Sequence, residues 1–144
     1  MLIDQVHTDF KQNMAWVEEL GAQDPESTVL VAGDLSHKLP QLEETLGWFC
    51  RHFANVFFVP GNHDLWMMGR KNSGGCADSA EKFVAILEMC ERIGVYTRPT
   101  YVADGLCVVP LFSWHNGNLF PDEVERERSP PEAEFDAGKP WIPQ

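Results

Sequence analysis

Basic residues are scarce in this chain: 11 Lys and Arg stand against 22 Asp and Glu, a net charge of −11 over 144 residues. Phosphate backbones are held by basic surfaces, so the balance excludes generic nucleic-acid binding. It leaves room for a small phosphorylated ligand, because a bound cation reverses the field locally. No run approaches the ~18 consecutive apolar residues of a membrane span. Residues 1–20 also lack the basic-then-apolar plan of a secretory leader, so a cytoplasmic setting is expected. Cys50, Cys76, Cys90 and Cys107 contain no Cys-x-x-Cys pair, which removes the usual cysteine zinc framework. All four are expected as reduced thiols, with Cys50 and Cys90 as small core residues in helical patterns. There is no Gly-x-Gly-x-x-Gly and no P-loop, which argues against a doubly wound nucleotide binder. Internal repeats and low-complexity tracts are absent too.

What remains is ordinary for one globular domain: 44% hydrophobic and 23% charged residues. Met1-Leu2-Ile3 reads as a short strand. Phe10, Met14, Val17 and Leu20 recur as a helical stripe that Gly21 stops. Val29 to Ala32 is a continuous apolar run, as in a strand buried on both faces. Leu39, Leu42, Leu46, Phe49 and Phe53 mark a second helix with Pro40 in its first turn. Val56 to Val59 reads as a third strand, and Leu65 to Gly75 as a loop over the strand edge. Phe83, Ile86, Leu87, Cys90 and Ile93 form the face of a third helix, stopped by Gly94. Val95 to Thr97 reads as a short strand. Tyr101–Ala103 and Leu106–Phe112 flank Asp104-Gly105, a hairpin signal. The β-α-β-α-β-α order followed by a hairpin predicts a layered α/β fold.

Three successive strands end in polar groups. The first leads to His7, with Asp4 and Gln5 nearby; the second ends at Gly33-Asp34; the third ends at Gly61-Asn62-His63-Asp64. Each interval fits one helix and one strand, so parallel strands would bring the three ends to one edge, where open α/β sheets bind ligands. Imidazole nitrogen, carboxylate and amide oxygen suit manganese, iron or zinc. The glycines let the backbone turn sharply beside a ligand. Turn chemistry alone also places Asp and Asn after glycine. His7 could be a plain strand residue, His37 a surface or capping residue, and His52 a solvated one on the polar side of its helix. Trp66, Met67 and Met68 suit either a substrate pocket or lid packing.

Val-Ala-Gly-Asp-Leu-Ser-His (31–37), Val-Pro-Gly-Asn-His-Asp-Leu-Trp (59–66) and Pro-Leu-Phe-Ser-Trp (110–114) together resemble the calcineurin-like metallophosphoesterases. The resemblance covers about residues 3–120. It implies an α/β/β/α sandwich, incomplete at its C-terminus, with residues 1–120 as the domain. It also implies a metal-dependent phosphoesterase working through two divalent ions (Mn, Fe or Zn) on a small phosphorylated substrate. By position, His7 and Asn62 match metal ligands, and Asp34 matches the carboxylate bridging both ions. His63 matches the histidine that contacts phosphate and protonates the leaving oxygen, and Asp64 the acid that orients it.

Two departures accompany the match. Family members carry aspartate two residues before the first histidine, where this chain has Gln5. Asp4 is one residue out, which along a strand would face it the other way. The Gly-His-x-His element of the family is absent, and His115 is the one histidine after His63. The departures support two alternatives: a catalytically silent scaffold that binds a protein partner, or a fragment of a longer enzyme. Residues 121–144, with seven acidic and three basic residues, read as an irregular acidic, Pro-rich tail.

Overall fold

Three short strands, β1 (Leu2–Ile3), β2 (Thr28–Val31) and β3 (Asn55–Phe58), form a parallel sheet in the order β1-β2-β3. The computed structural model describes residues 1–20 and 25–114. Gly21, His115 and the 121–144 tail lie outside them. Helix α1 (Lys11–Leu20) joins β1 to β2, and α2 (Leu39–His52) joins β2 to β3. Parallel strands laid down in sequence order, with right-handed crossovers, put successive helices on one face. α1 packs on α2 and α2 on α3 (Ser79–Ile93), in accord with that rule. The α/β class expected from the sequence is therefore what the chain adopts.

Register explains which strand residues make the core. Ile3 pairs with Val31 and Val31 with Phe58, while Val29 pairs with Val56. These five face the helices and pack with Val17, Leu42, Leu46, Phe49, Ile86, Met89 and Cys90. The intervening row, Leu2, Leu30 and Phe57, points the other way, and Leu2 is 70% exposed. β2 therefore alternates between buried and half-buried residues, and the expectation of burial on both faces fails.

α2 begins with Pro at its first turn, and its chain leaves at Phe53, whose extended backbone donates to the Phe49 carbonyl at 2.9 Å. α3 is opened by Asp78, whose carboxylate accepts from the Glu81 amide at 2.8 Å, and it stops at Gly94. Four sequence expectations change here. Phe10 lies before α1 and is 60% exposed, so the stripe of that helix begins at Met14. In α3 the buried set is Lys82, Ile86, Met89 and Cys90, with Phe83 and Leu87 only partly covered. The strand expected at Val95–Thr97 reduces to one parallel bridge between Tyr96 and Phe57. The hairpin forms as β4 (Thr100–Ala103) and β5 (Leu106–Val108), so β5 ends well before Phe112. The four cysteines are free thiols. No helix among the described residues is long and apolar enough to cross a membrane.

Candidate metal centre

The segments leaving β1, β2 and β3 meet at one edge of the sheet. The His7 amide donates to the Asp34 carbonyl at 3.0 Å, and the Thr8 amide to the Leu35 carbonyl at 2.7 Å. The Asn13 side chain, from α1, donates to the carbonyls of Val6 (2.6 Å) and His7 (3.2 Å). These bonds hold the first segment in a conformation it would otherwise avoid. Gln5, His7 and Asp34 have φ of 52°, 49° and 53°, left-handed values that cost non-glycine residues of order 1–3 kcal/mol each. Because β1 stops at Ile3, strand alternation does not govern Asp4 and Gln5, and both side chains are exposed.

Between β2 and β3 the approach is closer still. A Cβ on Gly33 would stand 2.6 Å from the Gly61 nitrogen, and Gly33 also has φ +99°. A Cβ on Gly61 would run into the Asp34 carboxylate and stand 2.7 Å from the Asp34 nitrogen. The two glycines therefore pass one another at a distance no side chain permits, and this seats Asp34 beside the third segment.

That segment folds as a 3-10 turn, His63–Leu65. It splits the tetrapeptide 61–64 between two directions. Asp64 goes inward and is fully buried. Its carboxylate accepts four backbone amides: Asp34 (2.8 Å), Leu35 (2.9 Å), Ser36 (2.9 Å) and Gly61 (2.8 Å). Burial pushes this acid up to about 6, against the pull of the amides toward the charged form, so it stays a carboxylate at neutral pH. Its hydrogen bonds among the described residues go to backbone and none to the His63 ring. The expected orientation of His63 by Asp64 is thus not the relationship found, because the 3-10 turn carries Asp64 beneath the loop.

His63 goes outward. Its amide donates to Asp34 Oδ1 at 3.0 Å, and its ring meets the edge of His7 at a centroid distance of 4.9 Å. Burial holds its imidazole below the usual histidine range; Asp34 opposes that shift and His7 and His37 add to it. Asn62 opens the turn, is exposed, and spends no side-chain bond on capping it.

One ligand atom each from His7, Asp34 and His63 lie within 4.8 Å of one another. Nitrogen and oxygen donors sit ~2.0–2.2 Å from a zinc-like ion, so two donors on one ion stand at most about 4.4 Å apart. Only a linear donor–metal–donor pair reaches that limit; in tetrahedral geometry donors stand about 3.3–3.6 Å apart. The trio would therefore contract by about 1 Å to share one ion, and its imidazole-carboxylate chemistry suits the borderline metals.

Three residues around the centre were given no role of their own by the sequence. Lys82, buried in the first turn of α3, donates to the carbonyls of His37 (2.6 Å) and Trp66 (2.7 Å). Burial pulls its ammonium down to about 8. Asp9 accepts from Ser36 Oγ (2.8 Å) and faces His37 Nδ1 (3.2 Å) and Lys38 Nζ (3.4 Å), so it braces the segment after Asp34. Trp114 donates its indole N–H to the Pro60 carbonyl at 2.9 Å and stacks with Phe112. His37 is thereby paired and 21% exposed. His52 is not a freely solvated residue: its ring stacks on Trp48 at 4.0 Å, with Nδ1 2.8 Å from the Trp48 carbonyl.

Residues 6–142 match the family model described as calcineurin-like phosphoesterase. Over 126 residues the chain is 28% identical to "[Acyl-carrier-protein] phosphodiesterase PptH" of Mycobacterium tuberculosis, a match covering 83% of this chain and 38% of that protein. The crystal structure of phosphopantetheinyl hydrolase (PptH) from the same organism superposes with a TM-score of 0.66 at 28% identity, over 77% of this chain and 41% of that one. The chain thus spans about two fifths of the length of these relatives.

Proposed function

The chain belongs to the calcineurin-like phosphoesterases, and on that premise we propose that it hydrolyses a phosphate ester at a metal centre built on His7, Asp34 and Asn62. The observation that carries the reading is that His7 and Asp34, two of the proposed ligands, converge at one sheet edge with the proposed acid His63, all within 4.8 Å. Asn62, next to His63, leaves its side chain exposed and uncommitted to the turn. Two divalent ions, Mn, Fe or Zn, when bound there supply an activated water and neutralise charge on the phosphoryl oxygens. Asp34 offers the carboxylate able to bridge them, and its placement is enforced by Gly33 and Gly61. His63 contacts the phosphoryl group and donates a proton to the leaving oxygen, with Asp34 offsetting the burial that disfavours its charged form. Asp64 acts on the loop, fixing the amides around Asp34 so that the carboxylate does not have to reorganise on binding. The four free thiols suit a reducing compartment such as the cytoplasm.

The relative's name points to the substrate to try first, a phosphodiester on an acyl-carrier protein. The test is turnover of that substrate, and of an aryl phosphate and an aryl phosphodiester, with added manganese. Asp34→Ala is expected to abolish manganese uptake, and His63→Ala to abolish turnover while uptake persists. Uptake unchanged in Asp34→Ala overturns the site. A second reading, a silent scaffold for a protein partner, is favoured by Gln5, exposed where the family carries an aspartate. Manganese-dependent turnover lost in His63→Ala rejects it.

A further inference from the structure

The backbone bonds of Asp64 leave open what orients the His63 imidazole. Trp66 follows three residues later, at the C-terminal end of the 3-10 turn, and its amide donates to the His63 carbonyl at 3.1 Å. Side chains at i and i+3 eclipse in 3-10 geometry. The indole accordingly lies on the imidazole, with ring centroids 3.7 Å apart and planes inclined by 28°. An extended strand at this point would turn the two rings to opposite faces.

The main chain that carries the indole is itself tied down. The Trp66 carbonyl accepts from Lys82 Nζ at 2.7 Å, and the same ammonium holds the His37 carbonyl at 2.6 Å. A buried cation with both bonds directed at loop carbonyls ties the segment after β3 to the segment after β2. The His7 ring also meets His63, edge-on at 4.9 Å and with 62° between planes. His63 thus has the indole stacked on its ring, the His7 ring edge-on to it, and its backbone amide on Asp34.

We propose that Trp66 is the positioning residue for His63, and that Lys82 sets the position of Trp66. A rigid apolar face restricts the imidazole to one plane, while a carboxylate partner would also have drawn its charge. The indole thus fixes direction without adding a charge beside the metal-binding groups. The kinetic part of the inference rests on the phosphoesterase reading; the structural part does not.

The test is proton NMR of the 144-residue chain, with the His63 ring signals assigned by their loss in His63→Gln. An imidazole lying on an indole face has ring protons displaced upfield by the ring current. In Trp66→Leu those signals are expected at the position of a solvated histidine. In Trp66→Phe, which keeps a smaller ring, they are expected in between, and this variant gives the reading if Trp66→Leu does not fold. In Lys82→Met they are expected to broaden or divide as the main chain at Trp66 loses its anchor. With manganese and an aryl phosphate, kcat is expected to fall up to about 100-fold in Trp66→Leu with little change in KM, the signature of a misaimed group, and to recover in part in Trp66→Phe. His63 signals at solvated positions in the parent chain, or unmoved by either Trp66 substitution, overturn the inference. Turnover absent from every variant, parent included, removes the phosphoesterase reading, and the ring-proton positions then decide the positioning role by themselves.

Discussion

The carboxylate of Asp64 holds the backbone amide of Asp34 at 2.8 Å, across 30 positions of sequence. The same carboxylate reaches the amides of Leu35, Ser36 and Gly61, so one side chain closes two loops around the candidate ligand. An amide acceptor in its place could satisfy only some of those donors and would bring an N–H against the rest.

Asp64→Asn is therefore expected to destabilise the chain by about 3 kcal/mol, the scale of losing charge-assisted bonds to buried amides. Urea denaturation monitored by circular dichroism reads this as a lower midpoint with an unchanged slope. A midpoint within error of the parent would mean that the four bonds are not made in solution.

Gly61→Ala is expected to weaken manganese binding by at least about 10-fold, because the added methyl occupies the space of the Asp34 carboxylate. Titration calorimetry measures the change directly. An unaltered dissociation constant would show that Asp34 is not a ligand.

Lys82 gives a pH signature. Its ammonium titrates at about 8 in the fold against 10.5 ordinarily, so between those values the unfolded chain holds more protons. Stability relative to Lys82→Met should rise with pH across that window, by up to about 3 kcal/mol, and be flat below it. Parallel denaturation series of the two proteins from neutral to alkaline pH would expose a flat difference if the lysine were solvated.

Trp114→Phe is expected to cost about 1 kcal/mol, the net worth of the indole bond to the Pro60 carbonyl, since the stack on Phe112 survives. The thermal midpoint reports it.

The sheet and its helices were legible in the sequence because apolar spacing reflects burial, and the glycine-bounded polar strand ends marked the edge where the site forms. Three features were hidden for physical reasons. Lys82 stands in a helix where a lysine normally meets water, and only its distant partners, the His37 and Trp66 carbonyls, make burial tolerable. Asp64 follows His63 directly and so reads as its neighbour's partner. The signal that could have corrected this is the run of amides after Gly33, which needed an acceptor. The left-handed backbone of His7 and Asp34 is held by tertiary bonds; Asp and His enter that region more readily than most side chains, so residue type alone does not mark where it occurs. Phe10 misled in the opposite sense, fitting a helical period just before α1 starts.

Loops at a sheet edge usually exchange their amide hydrogens with solvent quickly. Here the amide hydrogens of Asp34, Leu35, Ser36 and Gly61 are all capped by one sequestered acceptor. They can exchange only when that acceptor lets go, so the four should behave as a single kinetic unit, opening together and as slowly as the strands that precede them. The floor of the site is then as durable as the core, and the freedom to admit and release a ligand is left to the exposed side, where Asn62 stands.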